Sequence, residues 1–127
     1  MGEISVEQCG ETFIFRISGV LTYDDMLAVA KEYGPRITRH VVWDWSSAVS
    51  AQLTAEQIRS WPSVIKGYMI NREKGGKSAL VASSPLFVGL SRMYETCCGL
   101  CNLPFDVKIF HSMDEAMNWL GHEQPNH

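Results

Sequence analysis

The feature that most limits what this chain can fold into is a repeated piece of punctuation. Four times a short β-rich run is followed within a few residues by a helix-starting signature. Thr22-Tyr-Asp-Asp25, Thr54-Ala-Glu-Gln57, Ser84-Pro85 and Ser112-Met-Asp-Glu115 each offer a side-chain oxygen to the first free helix amides. Thr54 with Gln57 and Ser112 with Glu115 match the reciprocal capping box, and Pro85 stands at the first helical position, where no N–H is needed. Strand then helix, repeated, predicts a sheet with parallel neighbours, because parallel strands need a long crossover between them.

The elements follow from that frame. Glu3 to Cys9 and Thr12 to Ser18 flank Gly10-Glu11 and predict a hairpin. Tyr23, Met26, Leu27 and Ala30 form the apolar face of a first helix that Gly34-Pro35 stops. His40 to Trp45 is apolar on both faces, as expected of a buried central strand, and Ser46 to Leu53 is expected to be a loose loop. A second helix carries Ile58, Trp61, Ile65, Tyr68 and Met69 inward, with Pro62 interrupting or restarting it. Lys77 to Ala82 is a fourth strand. The third helix is expected to bury Leu86, Leu90, Met93 and Cys97, with Gly99 and Pro104 bracketing its end. Asp106 to Phe110 is a fifth strand, and the last helix turns Ala116, Trp119 and Leu120 inward. The order is ββαβαβαβα, an α/β domain with one small mixed sheet carrying helices. It occupies the whole of 1–127, with a core of about 3–121 and a tail at 122–127.

Composition narrows the function classes. At 127 residues with 46% hydrophobic and 20% charged residues, the chain has enough apolar matter for one core. A formal net charge of -3 argues against a nucleic-acid partner, since phosphates call for a basic surface. The amino terminus, MGEISVEQCGE, has no apolar h-region, so a cytoplasmic protein is expected. The motifs of nucleophilic, zinc-dependent or nucleotide-dependent enzymes are missing, and neither catalysis nor a cofactor or metal is expected. Asp44, on a strand, is expected to cap the following residues.

VVWDWSSA after the first helix, KSALVASSPLFVGLSRMYE, and VKIFHSMDEAMNWL together resemble the bacterial SpoIIAA-like proteins. These are relatives of the STAS domain of anti-sigma-factor antagonists, with kinship to the CRAL-TRIO lipid-binding fold. The resemblance spans roughly Gly10 to Gly121 and implies a small mixed sheet with helices on one side. Anti-sigma-factor antagonists carry a phosphorylatable serine in an Asp-Ser-Ser-Gly turn after the third strand. That turn aligns with Gln52-Leu53-Thr54-Ala55, where only Thr54 keeps a hydroxyl. Thr54 is thus both a plain N-cap and the candidate phosphorylation site.

Three sites compete. Ligands of open α/β sheets sit beyond the carboxyl ends of parallel strands, which points to Trp45, Leu53, Trp61, Tyr68, Met69, Phe87 and Met93 as the lining of an apolar or lipid-binding pocket, with residues 46–53 as a lid. Between Arg59 and Lys77 five basic residues face one acidic residue, and Arg59, Lys66, Arg72 and Lys74 are expected to contact an anionic membrane surface. The third is Cys97, Cys98 and Cys101, a C-x-x-C at a helix's carboxyl end. There the dipole disfavours a thiolate, so the cysteines are expected to pack as small hydrophobes. The main expectation is a non-enzymatic protein that binds a small apolar or lipid-like ligand, cytoplasmic or peripheral at a membrane. The alternative is a STAS-type regulatory protein-interaction module, working as a homodimer or with a protein partner.

Overall fold

A computed structural model describes residues 2–101, 103 and 105–121. The expected helix stop at Pro104 and the tail 122–127 lie outside the described residues. The strands are β1 (Glu3–Cys9), β2 (Thr12–Thr22), β3 (His40–Gln52), β4 (Gly76–Val81) and β5 (Phe105–Phe110). The helices are α1 (Tyr23–Tyr33), α2 (Ala55–Tyr68), α3 (Pro85–Gly99) and α4 (Met113–Leu120), with a 3-10 turn at Gly34–Arg36. Strand order follows the sequence, β1-β2-β3-β4-β5. The β1–β2 hairpin is antiparallel, turning at Gly10, whose φ of 60 favours glycine, and the remaining pairs are parallel.

All four N-caps form as the sequence predicts, but the reciprocal box expected at Ser112 does not, since Glu115 Oε1 accepts from the Ser112 hydroxyl and not from its amide. Thr22, Thr54, Ser84 and Ser112 each accept from a backbone amide three residues on, and Thr54 with Gln57 completes the reciprocal box. Alternation then sorts the strands. Phe13, Phe15, Ile17, Val41, Trp43, Trp45 and Leu80 share one core with the inner faces of α1, α2 and α3. Ile14, Val42, Ala79 and Val81 point the other way, onto Ala116 and Leu120 of α4.

Four expectations are corrected. The helices are not all on one side: α1 to α3 are crossovers between parallel strands and share a hand. α4 follows the last strand and closes the opposite face. Residues 46–52 are no lid, because β3 continues to Gln52 against an equally extended β2, pairing Arg16 with Asp44 and Thr22 with Gln52 across two register shifts. Pro62 does not break α2, which runs through it; its ring is buried and only one helical hydrogen bond is forgone. Finally, α3 is rotated by one residue from the expected phase. Its buried face is Phe87, Ser91, Tyr94 and Cys98. That stripe has the same spacing as Leu86, Leu90, Met93 and Cys97, and the two aromatic rings bury more apolar area.

Candidate functional site

α2 starts at the carboxyl end of β3 and runs back along the sheet; α3 does the same after β4. Their amino-terminal halves therefore meet above the carboxyl ends of the strands. Here Leu21, Trp43, Trp45, Ile58, Trp61 and Phe87 enclose an apolar cavity of about 20 Å³. Aromatic packing holds its wall rigid: the Trp45 and Phe87 rings lie 5.8 Å apart, Tyr23 and Trp61 5.8 Å, and Trp43 and Trp61 6.5 Å. That volume holds about one water, whereas small-molecule sites run to roughly 300 Å³ and more. Two polar atoms of lining residues, Trp45 Nε1 and the Tyr94 hydroxyl, are buried without a hydrogen-bond partner. Burial pushes the Tyr94 phenol well above its ordinary value, reinforced by the neighbouring Cys98 thiol.

Of the expected pocket residues, Trp45, Leu53, Trp61 and Phe87 are brought together here. Tyr68 and Met69 are not. They lie at the carboxyl end of α2, over the amino ends of the strands, where Tyr68 abuts Gly34 and the Met69 sulfur accepts from Arg72. Met93 turns to solvent with the rotated face of α3.

That rotation creates the more informative feature. Leu86 and Met93 are 48% and 38% exposed, with half-buried Leu90 between them, forming an apolar stripe on the outer side of α3. Leu90 and Leu53 both border the cavity, so the stripe continues towards the amino terminus of α2. Thr54 is exposed there; its Oγ1 accepts from the Gln57 amide at 3.0 Å while Gln57 Oε1 accepts from the Thr54 amide at 2.9 Å. An exposed hydroxyl at a helix amino terminus, beside uncovered apolar side chains, is suited to contact with another macromolecule.

No family model and no curated protein matches the chain. Solved structures do resemble it, among them the following two. One is a DUF3478-family protein with a SpoIIAA-like fold from Shewanella loihica PV-4, 17% identical, with 94% of this chain and 93% of that one covered at a TM-score of 0.56. The other is the anti-sigma factor antagonist SpoIIAA in its unphosphorylated form, 13% identical, with 96% and 99% covered at 0.59. The fold is SpoIIAA-like. The resemblance drawn from VVWDWSSA, KSALVASSPLFVGLSRMYE and VKIFHSMDEAMNWL therefore stands at the level of fold.

Within the SpoIIAA-like fold the remaining candidates separate. Arg59, Lys66 and Lys74 are exposed. Of the apolar residues in the same segment, Trp61, Ile65 and Met69 are consumed by the core and Tyr68 is half-buried, while Ile70, just past the end of α2, is exposed. Arg72 is buried and is corrected as a membrane contact. Its Nε donates to the Arg39 carbonyl at 2.9 Å, and Nη2 donates to the Lys77 carbonyl at 3.0 Å and to Ser78 Oγ at 2.9 Å. The guanidinium lies 4.0 Å from the Phe105 ring centre, and burial lowers its pKa to about 10. Among the described residues no helix is long and apolar enough to cross a membrane, and no group of His, Cys, Asp and Glu could hold a metal.

Asp44 does cap the chain beyond it: Oδ1 accepts from the Ser46 amide at 3.0 Å and from the Ser46 hydroxyl at 2.6 Å. Of the clustered thiols Cys98, not Cys97, is the buried one, and burial pushes it up to about 12. Cys97 and Cys101 are half-buried and all the cysteines are free. Sequence reasoning missed the outward stripe itself. The available signal was that α3 carries two parallel apolar stripes where one core face can bury only one.

Proposed function

We propose that this chain is a non-catalytic, STAS-type protein-interaction module that docks a protein partner where α2 and α3 begin. The observation that carries the reading is the uncovered stripe of Leu86, Leu90 and Met93 beside the exposed Thr54 cap, on a SpoIIAA-like fold. SpoIIAA is an anti-sigma factor antagonist with an unphosphorylated form, a protein that acts by opposing another protein. Thr54 is the residue at which a phosphate would bear on such contact. At a helix amino terminus it would be stabilised by the dipole, and it would place about two negative charges beside an apolar docking surface.

The test compares partners retained by the wild-type chain, by a Leu86→Asp/Met93→Asp variant and by Thr54→Glu from extracts of the source cells. A partner held by the wild type and lost by the stripe variant, with altered retention by Thr54→Glu, supports the module. Identical retention by all three contradicts it.

A second reading, an apolar ligand in the cavity, rests on one observation: among the described residues Trp45 Nε1 is a buried donor without a partner, and the buried Tyr94 hydroxyl has only the Cys98 thiol as a hydrogen-bonding neighbour. It requires α2 and α3 to part, since the cavity is about 20 Å³, and a ligand with an acceptor group among the apolar rings. Native mass spectrometry of gently purified protein checks it, through a bound mass that Trp45→Phe or Tyr94→Phe weakens.

A further inference from the structure

Among the described residues the sheet has two open edges, β1 and β5, and they differ in a way that singles out one of them. An edge strand presents unpaired amides and carbonyls, and its side chains decide whether another strand can join it. The orientation of β5 follows from one hydrogen bond. The Ala82 amide donates to the Phe110 carbonyl at 3.0 Å, so Phe110 directs its backbone polar groups towards β4. Successive residues of a strand alternate in this respect. Lys108 and Asp106 therefore face β4 as well, whereas Phe105, Val107 and Ile109 offer their amides and carbonyls to the open side.

The side chains of the same strand alternate between the two sheet faces. Phe105, Val107 and Ile109 belong to the main core side, while Asp106 and Lys108 are exposed on the α4 side. Beside this edge, on the main core side, an open groove of about 400 Å³ is bordered by Glu95, Cys98, Leu103, Phe105 and Val107.

We propose that β5 is a self-complementary edge through which two copies of this chain join by antiparallel strand pairing about a two-fold axis at Val107. In that register Val107 opposes Val107 of the second copy, and Phe105 opposes Ile109 in both directions. These are the residues with free outward amides and carbonyls, so every one of them finds a hydrogen-bond partner. Asp106 of each copy then opposes Lys108 of the other. Those are the non-hydrogen-bonded positions, where facing side chains come closest, so the register sets two opposite-charge pairs side by side. The apolar side chains of the incoming strand fall on the groove side. The β1 edge lacks this property: a two-fold about Ser5 sets exposed Glu3 against Glu7, a like-charge pair. Because the β5 contact is isologous it closes at two copies and gives one continuous sheet, not a filament. The contact is short, so association is concentration-dependent.

Sedimentation velocity of the full chain over a concentration series tests this. The wild type is expected to pass from monomer to dimer as concentration rises. Lys108→Asp and Asp106→Lys each place like charges opposite one another and are expected to weaken the dimer by at least about tenfold. Mixing these two single variants restores both opposite-charge pairs and recovers a heterodimer, as does the double exchange Asp106→Lys/Lys108→Asp within one chain. Recovery on mixing also shows that neither single variant had simply misfolded. A wild type that stays monomeric throughout overturns the proposal. So do single variants that dimerise like the wild type, or a mixture that stays monomeric.

Discussion

Arg72 offers the sharpest division between a surface charge and a structural one, and Arg72→Met is the perturbation. The substitution keeps most of the apolar stem but withdraws the guanidinium from the Arg39 and Lys77 carbonyls and from Ser78 Oγ. Each buried group left without its donor costs about 1–3 kcal/mol. Losing the contact over Phe105 at 4.0 Å costs about 2 kcal/mol more. Against this, the wild type carries a buried charge whose pKa is lowered from 12.5 to about 10, and removing it returns about 3 kcal/mol. Among the described residues Arg72 forms no ion pair, so no carboxylate is stranded. The net expectation is a loss of about 2–8 kcal/mol, or at least roughly 8 °C in Tm for a domain of this size. Urea unfolding followed by tryptophan fluorescence reads it, since Trp43 and Trp61 lie in the core. The exposed neighbour, Lys66→Met, is expected to stay within about 0.5 kcal/mol of wild type. If Arg72→Met unfolds at the wild-type midpoint, the structural assignment is refuted and Arg72 rejoins the surface charges.

Thiol labelling of the native protein should modify Cys9 fastest, Cys97 and Cys101 more slowly, and Cys98 only after denaturant is added; prompt native labelling of Cys98 contradicts the rotated phase of α3. Stability should fall as pH rises above about 9. Burial pushes the Cys98 thiol from 9.0 up to about 12 and the Tyr94 phenol upward too, so the unfolded chain gives up these protons first. Urea midpoints between pH 8 and 11 measure this slope, and Cys98→Ala should flatten it; a slope unchanged by the substitution would count against the burial. Gly76→Ala should destabilise strongly, because an added Cβ would collide with the Arg39 carbonyl oxygen and press on Arg72 Nε, which a thermal melt would show.

Much of the fold was legible because its signals are local. The caps at Thr22, Thr54, Ser84 and Ser112 depend on a few adjacent residues, and they place every α-helix start to within one residue. What was not legible depends on partners distant in sequence. Ser46 to Gln52 has the composition of a loop, and it becomes strand only because residues 18–22 extend alongside it. Which face α4 covers is set by the end of the chain of crossovers, not by its own Ala116, Trp119 and Leu120 pattern. Two stripes of equal spacing on α3 differ by one residue, and only packing against the sheet chooses Phe87 and Tyr94 over Leu86 and Met93. Arg72 sat in a basic run and looked solvated; its burial comes from Arg39, Lys77 and Phe105, none of them adjacent to it in sequence. For the candidate site, sequence placed Trp45, Leu53, Trp61 and Phe87 together, and the structure gathers these four around one cavity. The cavity volume, which disfavours a lipid as the molecule stands, is a property of side-chain packing that no spacing reveals.

The central claim is that protein contact occurs at the start of α2 and α3, and methyl NMR tests it most directly. The partner recovered with the wild-type chain is titrated into labelled protein while leucine and methionine methyl signals are followed. The account predicts shifts concentrated at Leu53, Leu86, Leu90 and Met93, with Met113 and Met117 on the α4 side unmoved. Shifts confined to the α4 side, with the α3 stripe unchanged, would contradict it.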